Sequence, residues 1–227
     1  MSNTTEIIFI LDRSSSMGII RDATVKGIND FIKSVQEVPG EGFWTCVQFD
    51  DHDSARGASE EFPLTVFSRK SDAEIRPMTL DEFRPRGGTA LVDAVCITVM
   101  NARDRWLALP EDQRPRMLVQ IVTDGEENAS RFYTTKQMRE LMGEVQGKYG
   151  WKVDYLGANQ DAFAEADKYG IEEKTSGGIS NRMNYSHDAT GMVGVMRLAS
   201  AGTRNWKAEG NQSAVQMLSS AEPDKAV

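Results

Sequence analysis

The chain has 227 residues, 26 of them Lys or Arg against 34 Asp or Glu, which gives a formal net charge of −8. At 40% hydrophobic and 26% charged residues it has an ordinary globular composition, which excludes collagen-like, low-complexity and disordered classes. The acidic balance argues against nucleic acid as the main partner, because phosphate binding needs clustered Lys and Arg, and no apolar run approaches the ~18 residues of a membrane helix. Met1 to Glu6 lacks the basic start and long apolar stretch of a secretory signal, so the expectation is a cytoplasmic protein. Cys46 and Cys96 lie in apolar segments and read as reduced core residues.

Ile7 to Leu11 is a continuous apolar run, as expected of a strand buried on both faces, and it ends in the polar turn Asp12-Arg13-Ser14-Ser15-Ser16. Apolar residues at helical spacing predict a helix from about Ile20 to Val38, ended by Pro39-Gly40. Phe43 to Phe49 reads as a second strand and Pro63 to Phe67 as a third. The polar link between them has no helical pattern, so a hairpin and an antiparallel edge are expected. Thr79-Leu80-Asp81-Glu82 matches a capping box over one short turn. Arg86-Gly87-Gly88-Thr89 then leads into a helix from about Ala90 to Leu107.

Met117 to Val122 is another buried strand, followed by Thr123-Asp124-Gly125. Thr134 with Gln137 forms a second capping box opening a helix to about Lys148. Trp151 to Leu156 and Asn159 to Tyr169 give the next strand and helix, Arg182 to Tyr185 a last strand, and Asp188 to Asn205 a final helix. Alternating strands and helices with continuously apolar strands predict one doubly wound α/β domain. Its sheet is mostly parallel, with one antiparallel edge strand and helices on both faces. The expected domain spans residues 1–209, and 210–227 reads as a flexible tail.

In such a sheet ligands bind at the carboxyl ends of the strands, at the switch point. The residues expected there are Asp12, Ser14, Ser16, Thr89 and Asp124. Five oxygen-bearing side chains on three loops suit a hard cation. Mg2+ fits a set of hydroxyls and two carboxylates completed by water, whereas Ca2+ favours more carboxylates in bidentate form and zinc favours His or Cys. The only histidines, His52 and His187, are not near these loops in sequence.

Asp12-Arg13-Ser14-Ser15-Ser16, Gly87-Gly88-Thr89-Ala90-Leu91 and Thr123-Asp124-Gly125 together resemble the metal-ion-dependent adhesion site of von Willebrand factor type A domains. The resemblance covers about residues 6 to 205. It implies a Rossmann-like fold, with Ser14, Ser16 and Thr89 as hydroxyl ligands and Asp12 and Asp124 bound to the ion or to its waters. The ion expected is Mg2+, with Mn2+ or Ca2+ as alternatives. The stretches Thr123 to Ser130 and Leu156 to Asp161 look like those of bacterial and phage intracellular members. The function implied is a binding module whose metal accepts a Glu or Asp side chain from a protein partner, an AAA+ ATPase or a component of stress or defence systems being candidates.

The alternative is a Mg2+-dependent phosphotransferase or phosphatase of Rossmann-like fold. Dehalogenase-type enzymes need Asp-x-Asp, and Ser14 in the second position cannot serve as general acid near pH 7. No P-loop, Gly-x-Gly-x-x-Gly or Gly-x-Ser-x-Gly motif is present, so no catalytic residue is assigned. Asp50-Asp51-His52-Asp53 reads either as a second metal or partner-facing cluster or as a solvated hairpin loop. Glu126, Glu127 and Arg131 border the expected metal, and His187-Asp188 reads as a helix cap.

Overall fold

The continuous apolar run near the N-terminus becomes β1 (Thr5–Asp12), all eight residues of which are buried. Its side chains alternate between two cores. Ile7, Phe9 and Leu11 pack on one face of the sheet and Ile8 and Ile10 on the other, which is why a period-2 polar pattern is missing from the strand. The computed structural model describes residues 4–53, 61–158, 162–175, 178–179 and 182–220.

From β1 the chain passes through a 3-10 turn (Ser15–Ile20) into α1 (Arg21–Gln36), then β2 (Gly42–Phe49) and β3 (Leu64–Ser71). A 3-10 turn at Leu80–Glu82 precedes α2 (Leu91–Leu107), β4 (Arg116–Thr123), α3 (Thr135–Gly147), β5 (Lys152–Ala158) and α4 (Ala162–Lys168). A two-stranded ribbon, β6 (Lys174–Thr175) with β7 (Gly178–Ile179), leads to β8 (Arg182–Tyr185) and α5 (Ala189–Ser220). The main sheet has six strands in the order β3-β2-β1-β4-β5-β8. Its pairs are parallel except for β2 with β3, the expected antiparallel edge.

One core cluster joins β1 to α1 and α5 through Phe9, Phe31, Trp44, Met192, Met196 and Trp206. Phe31 meets Phe9 edge-on at 5.0 Å and Trp44 at 6.4 Å between ring centroids, an arrangement that adds to the burial energy of the rings. The other cluster joins β1 and β4 to α2 and α3 through Ile8, Ile10, Val95, Val99, Ile121, Met138 and Met142. The chain winds from β1 outward to β2, then returns to add β4 on the other side of β1. The reversal leaves the C-terminal ends of β1 and β4 side by side as the switch point.

Both capping boxes form: Thr79 with Glu82 and Thr134 with Gln137 close reciprocal bonds at their turns. Three boundaries differ from expectation. The third strand runs on to Ser71 rather than stopping at Phe67, because its register with β2 resumes after a bulge opposite Cys46. The final helix continues to Ser220, past Asn205. The helix expected from Asn159 begins at Ala162, and residues 159–161 lie outside the described set. Cys46 and Cys96 are both free and buried. No helix among the described residues is long and apolar enough to cross a membrane.

Candidate metal centre

Asp12 is the last residue of β1, and strand pairing with β2 and β4 fixes where its side chain emerges. It is fully buried. Its Oδ1 accepts the backbone N–H of Ser14 at 2.6 Å, and its Oδ2 accepts the hydroxyl of Thr123 at 2.7 Å. The first contact folds the Asp-x-Ser turn back on itself. The second ties β1 to β4. Ser14 Oγ then lies 3.1 Å from Ser16 Oγ, and Ser16 donates to Asp124 Oδ1 at 2.8 Å.

Thr89 reaches the same place from the second loop. A Cβ added at Gly125 would stand 3.3 Å from Thr89 Oγ1 and 3.9 Å from Ser16 Oγ, so both hydroxyls look onto the one residue that follows Asp124. Backbone bonds stitch the loops together: Ser15 N to Gly87 O at 3.1 Å, Arg86 N to Arg13 O at 2.8 Å, and Asn128 N to Thr89 O at 3.0 Å. Gly87 has a positive φ of 64°, a conformation glycine adopts without strain. A Cβ at Gly88 would lie 2.9 Å from Asn128 Oδ1, so a larger residue there would push the Asn128 side chain off the Thr89 N–H it accepts.

The five residues expected from the sequence thus converge. Ser14, Thr89 and Asp124 are buried with Asp12, while Ser16 is exposed. Burial pushes the Asp12 carboxyl up to about 7 against the hydrogen bonds from Thr123 and Ser14, and the negative charge of Asp124 adds to the rise. Burial raises Asp124 as well, with the Ser16 hydroxyl and His187 opposing it. Two adjacent carboxylates held in low dielectric are short of positive charge. A hard dication would supply it, and the hydroxyl and carboxylate oxygens are the donor type such an ion takes. Among the described residues no three His, Cys, Asp or Glu side chains gather on one point; this centre instead mixes two carboxylates with three hydroxyls.

For Asp50-Asp51-His52-Asp53, read as a second metal or partner-facing cluster or as a solvated hairpin loop, no metal-holding group forms among the described residues, and most of the run is engaged by the protein itself while Asp53 stays partly exposed. Asp50 is 1% exposed and its Oδ2 meets Arg13 Nε at 3.1 Å and Arg86 Nε at 2.7 Å. Asp51 Oδ2 accepts the N–H of Gly88 at 2.7 Å, and His52 Nε2 lies 2.7 Å from Asp93 Oδ2. Asp53 pairs with Arg131. The cluster is a brace that fixes the first and second loops of the centre from behind.

Residues bordering the centre have similar work. Glu127 Oε2 accepts the N–H of Val92 at 2.8 Å, satisfying an open donor at the start of α2. Asn128 Oδ1 accepts the N–H of Thr89 at 2.9 Å. Asp93 accepts the N–H groups of Arg131 at 2.6 Å and Tyr133 at 2.7 Å, which pins the loop after β4 onto α2.

The sequence reading missed His187. Asp188 does cap α5, its Oδ1 accepting the N–H of Gly191 at 2.8 Å, but His187 Nε2 lies 2.6 Å from Asp124 Oδ2. The loop after β8 therefore meets the centre from a fourth direction. Its approach depends on β8 pairing beside β5, which no local motif reveals.

No family model matches the chain and no curated protein matches its sequence significantly. Solved structures do share its fold. A von Willebrand factor type A protein from Catenulispora acidiphila matches with a TM-score of 0.53 at 12% identity, over 89% of this chain and 43% of its own. The manganese-loaded TRAP protein of Plasmodium vivax gives 0.53 at 14% identity, over 86% and 73%. Proximal thread matrix protein 1 of the mussel byssus, with zinc in its adhesion-site motif, gives 0.51 at 21% identity, over 88% and 46%. The chain spans less than half the length of the first and third of these. Sheet order, the antiparallel edge and these likenesses together give the chain the fold of von Willebrand factor type A domains.

Proposed function

We propose that the chain is a divalent-metal-dependent protein-binding module, in which the bound cation accepts a Glu or Asp side chain from a partner. The observation that carries this reading is the meeting of Ser14, Ser16 and Asp124 within 3.1 Å steps, with Thr89 facing the same glycine. Mg2+ is the ion the oxygen set favours, with Mn2+ and Ca2+ as alternatives. Of the two anionic residues only Asp124 has an oxygen bonded to the hydroxyl cluster, those of Asp12 accepting the Ser14 N–H and the Thr123 hydroxyl, so the ion keeps net positive charge toward an incoming carboxylate. Manganese in the TRAP protein and zinc in the byssus protein are precedents within the fold.

An enzyme reading fits the site less well. Both oxygens of Asp12 already accept internal hydrogen bonds and the side chain is fully buried, so it does not present a nucleophile. Ser14 offers no proton donor of suitable acidity. We place the protein in the cytoplasm, where AAA+ ATPases and components of stress or defence systems are the first partners to test.

The decisive experiment is capture of partners from a lysate of the native host by the immobilised full chain, in Mg2+ and in EDTA, with Asp12→Ala beside it. Capture that depends on Mg2+ and is lost in the variant is expected. Equal capture in both buffers counts against a metal-mediated contact.

A further inference from the structure

His187 stands on the loop between β8 and α5, outside the three loops of the metal motif. Its position is held from both sides. Tyr185 Oη donates to the carbonyl of Thr123 at 3.1 Å, anchoring the loop to the end of β4. Asp188 holds the first turn of α5 through the N–H of Gly191. Between these anchors the imidazole is 27% exposed and its Nε2 lies 2.6 Å from Asp124 Oδ2. The other carboxylate oxygen, Oδ1, accepts the hydroxyl of Ser16 at 2.8 Å, and Ser16 Oγ is 3.1 Å from Ser14 Oγ. Asp124 is thus divided: one oxygen faces the hydroxyl cluster and the other faces an imidazole.

We propose that His187 restricts Asp124 to ligation through a single oxygen and so biases the centre toward Mg2+ and against Ca2+. The inference rests on the metal centre proposed above. Ca2+ takes about 6–8 oxygens at roughly 2.3–2.6 Å and gains from bidentate carboxylates, whereas Mg2+ takes about six at roughly 2.0–2.1 Å. With His187 Nε2 only 2.6 Å from Oδ2, the imidazole occupies the side from which a cation would make a second bond to that oxygen. Groups that orient a ligand in this way commonly change metal affinity by about 10–100-fold when removed. His187 acts through Asp124 and is a positioning residue.

The test is calorimetric titration of the full chain with MgCl2 and with CaCl2, for the wild type, His187→Ala, His187→Gln and Asp12→Ala. In His187→Ala the affinity for Ca2+ relative to Mg2+ is expected to rise about tenfold. His187→Gln, which keeps a polar side chain of similar reach beside Oδ2, is expected to return the ratio toward that of the wild type. A ratio of two cations measured on one variant is insensitive to a general loss of stability. An unchanged ratio in His187→Ala, or equal weakening of both cations, overturns the role of His187 while leaving the centre intact. A wild type that binds neither cation, like Asp12→Ala, overturns the centre itself and the inference with it.

Discussion

Asp12 shows how a single residue can be costly to the fold and necessary to the site. Its carboxylate is buried, receives two hydrogen bonds, and feels the like charge of Asp124. Hydrogen bonds favour its charged form, but burial outweighs them. Asp12→Asn removes the buried charge and keeps an acceptor for Ser14 N–H, while the Thr123 hydroxyl lies 3.2 Å from the carbonyl of Gly125 as an alternative acceptor for its own proton. In EDTA at pH 8 the variant is therefore expected to be more stable than the wild type by about 1 kcal/mol, a rise of about 2–4 °C for a domain of this size. Added Mg2+ should raise the melting temperature of the wild type and leave the variant where it was. Calorimetric melts of both proteins with and without Mg2+ check this, and a wild type that melts higher than the variant in EDTA contradicts it. Asp12, Ser14 and Ser16 were legible in the sequence because a polar turn directly after a buried strand can only emerge at a sheet edge. His187 was not, since its approach to Asp124 is set by the pairing of β8 with β5 across the sheet.

Among the elements, the loop between β4 and α3 is held by α2 more than by itself. Burial alone would raise Asp93; the N–H of Arg131, the His52 ring and the N–H groups of Tyr133 and Phe132 outweigh it and hold the carboxyl below its ordinary value of 3.8. Asp93 therefore stabilises the fold above that value, and its contribution is lost as pH falls through the lower folded-state value. Asp93→Asn leaves fewer acceptors for three backbone donors, so a loss of about 2–3 kcal/mol is expected at pH 7. Urea melts should show that gap narrowing below about pH 4, and hydrogen exchange should show faster amides at Arg131, Phe132 and Tyr133. A gap independent of pH argues that the loss comes from packing alone. The strands and both capping boxes could be read from the chain because their signals are local. The brace formed by Asp50, Asp51 and His52 could not: a run of acidic residues looks alike whether its charges face water or, as here, Arg13, Arg86 and the N–H of Gly88.

For the whole molecule, the question is how much of α5 the domain needs. The residues after Gly210 carry few large apolar side chains, which is why the sequence placed the domain boundary near 209 although the helix backbone runs to Ser220. Three buried side chains lie just before that boundary. Thr203 is fully buried, Trp206 is 5% exposed and Lys207 1% exposed. Arg116 lies over the Trp206 ring at 4.3 Å and donates to the Trp206 carbonyl at 2.8 Å, so the start of β4 is closed by this turn of the helix. Lys207 Nζ sits 3.6 Å from Asp72 Oδ2, which also accepts the indole N–H of Trp44 through its Oδ1 at 2.7 Å. A chain ending after Gly210 keeps all of these contacts and is expected to retain its melting temperature and its response to Mg2+. A chain ending after Gly202 loses them. Removing a buried Trp alone costs about 3–5 kcal/mol, against a total stability of about 5–15 kcal/mol for a domain, so this shorter chain should unfold without a cooperative transition or at a far lower temperature. Thermal melts of the two truncations with and without Mg2+ decide the matter. A cooperative, Mg2+-responsive transition in the shorter chain means that the sheet and its other helices fold without the Trp206 turn, and that the domain ends earlier than its buried surface indicates.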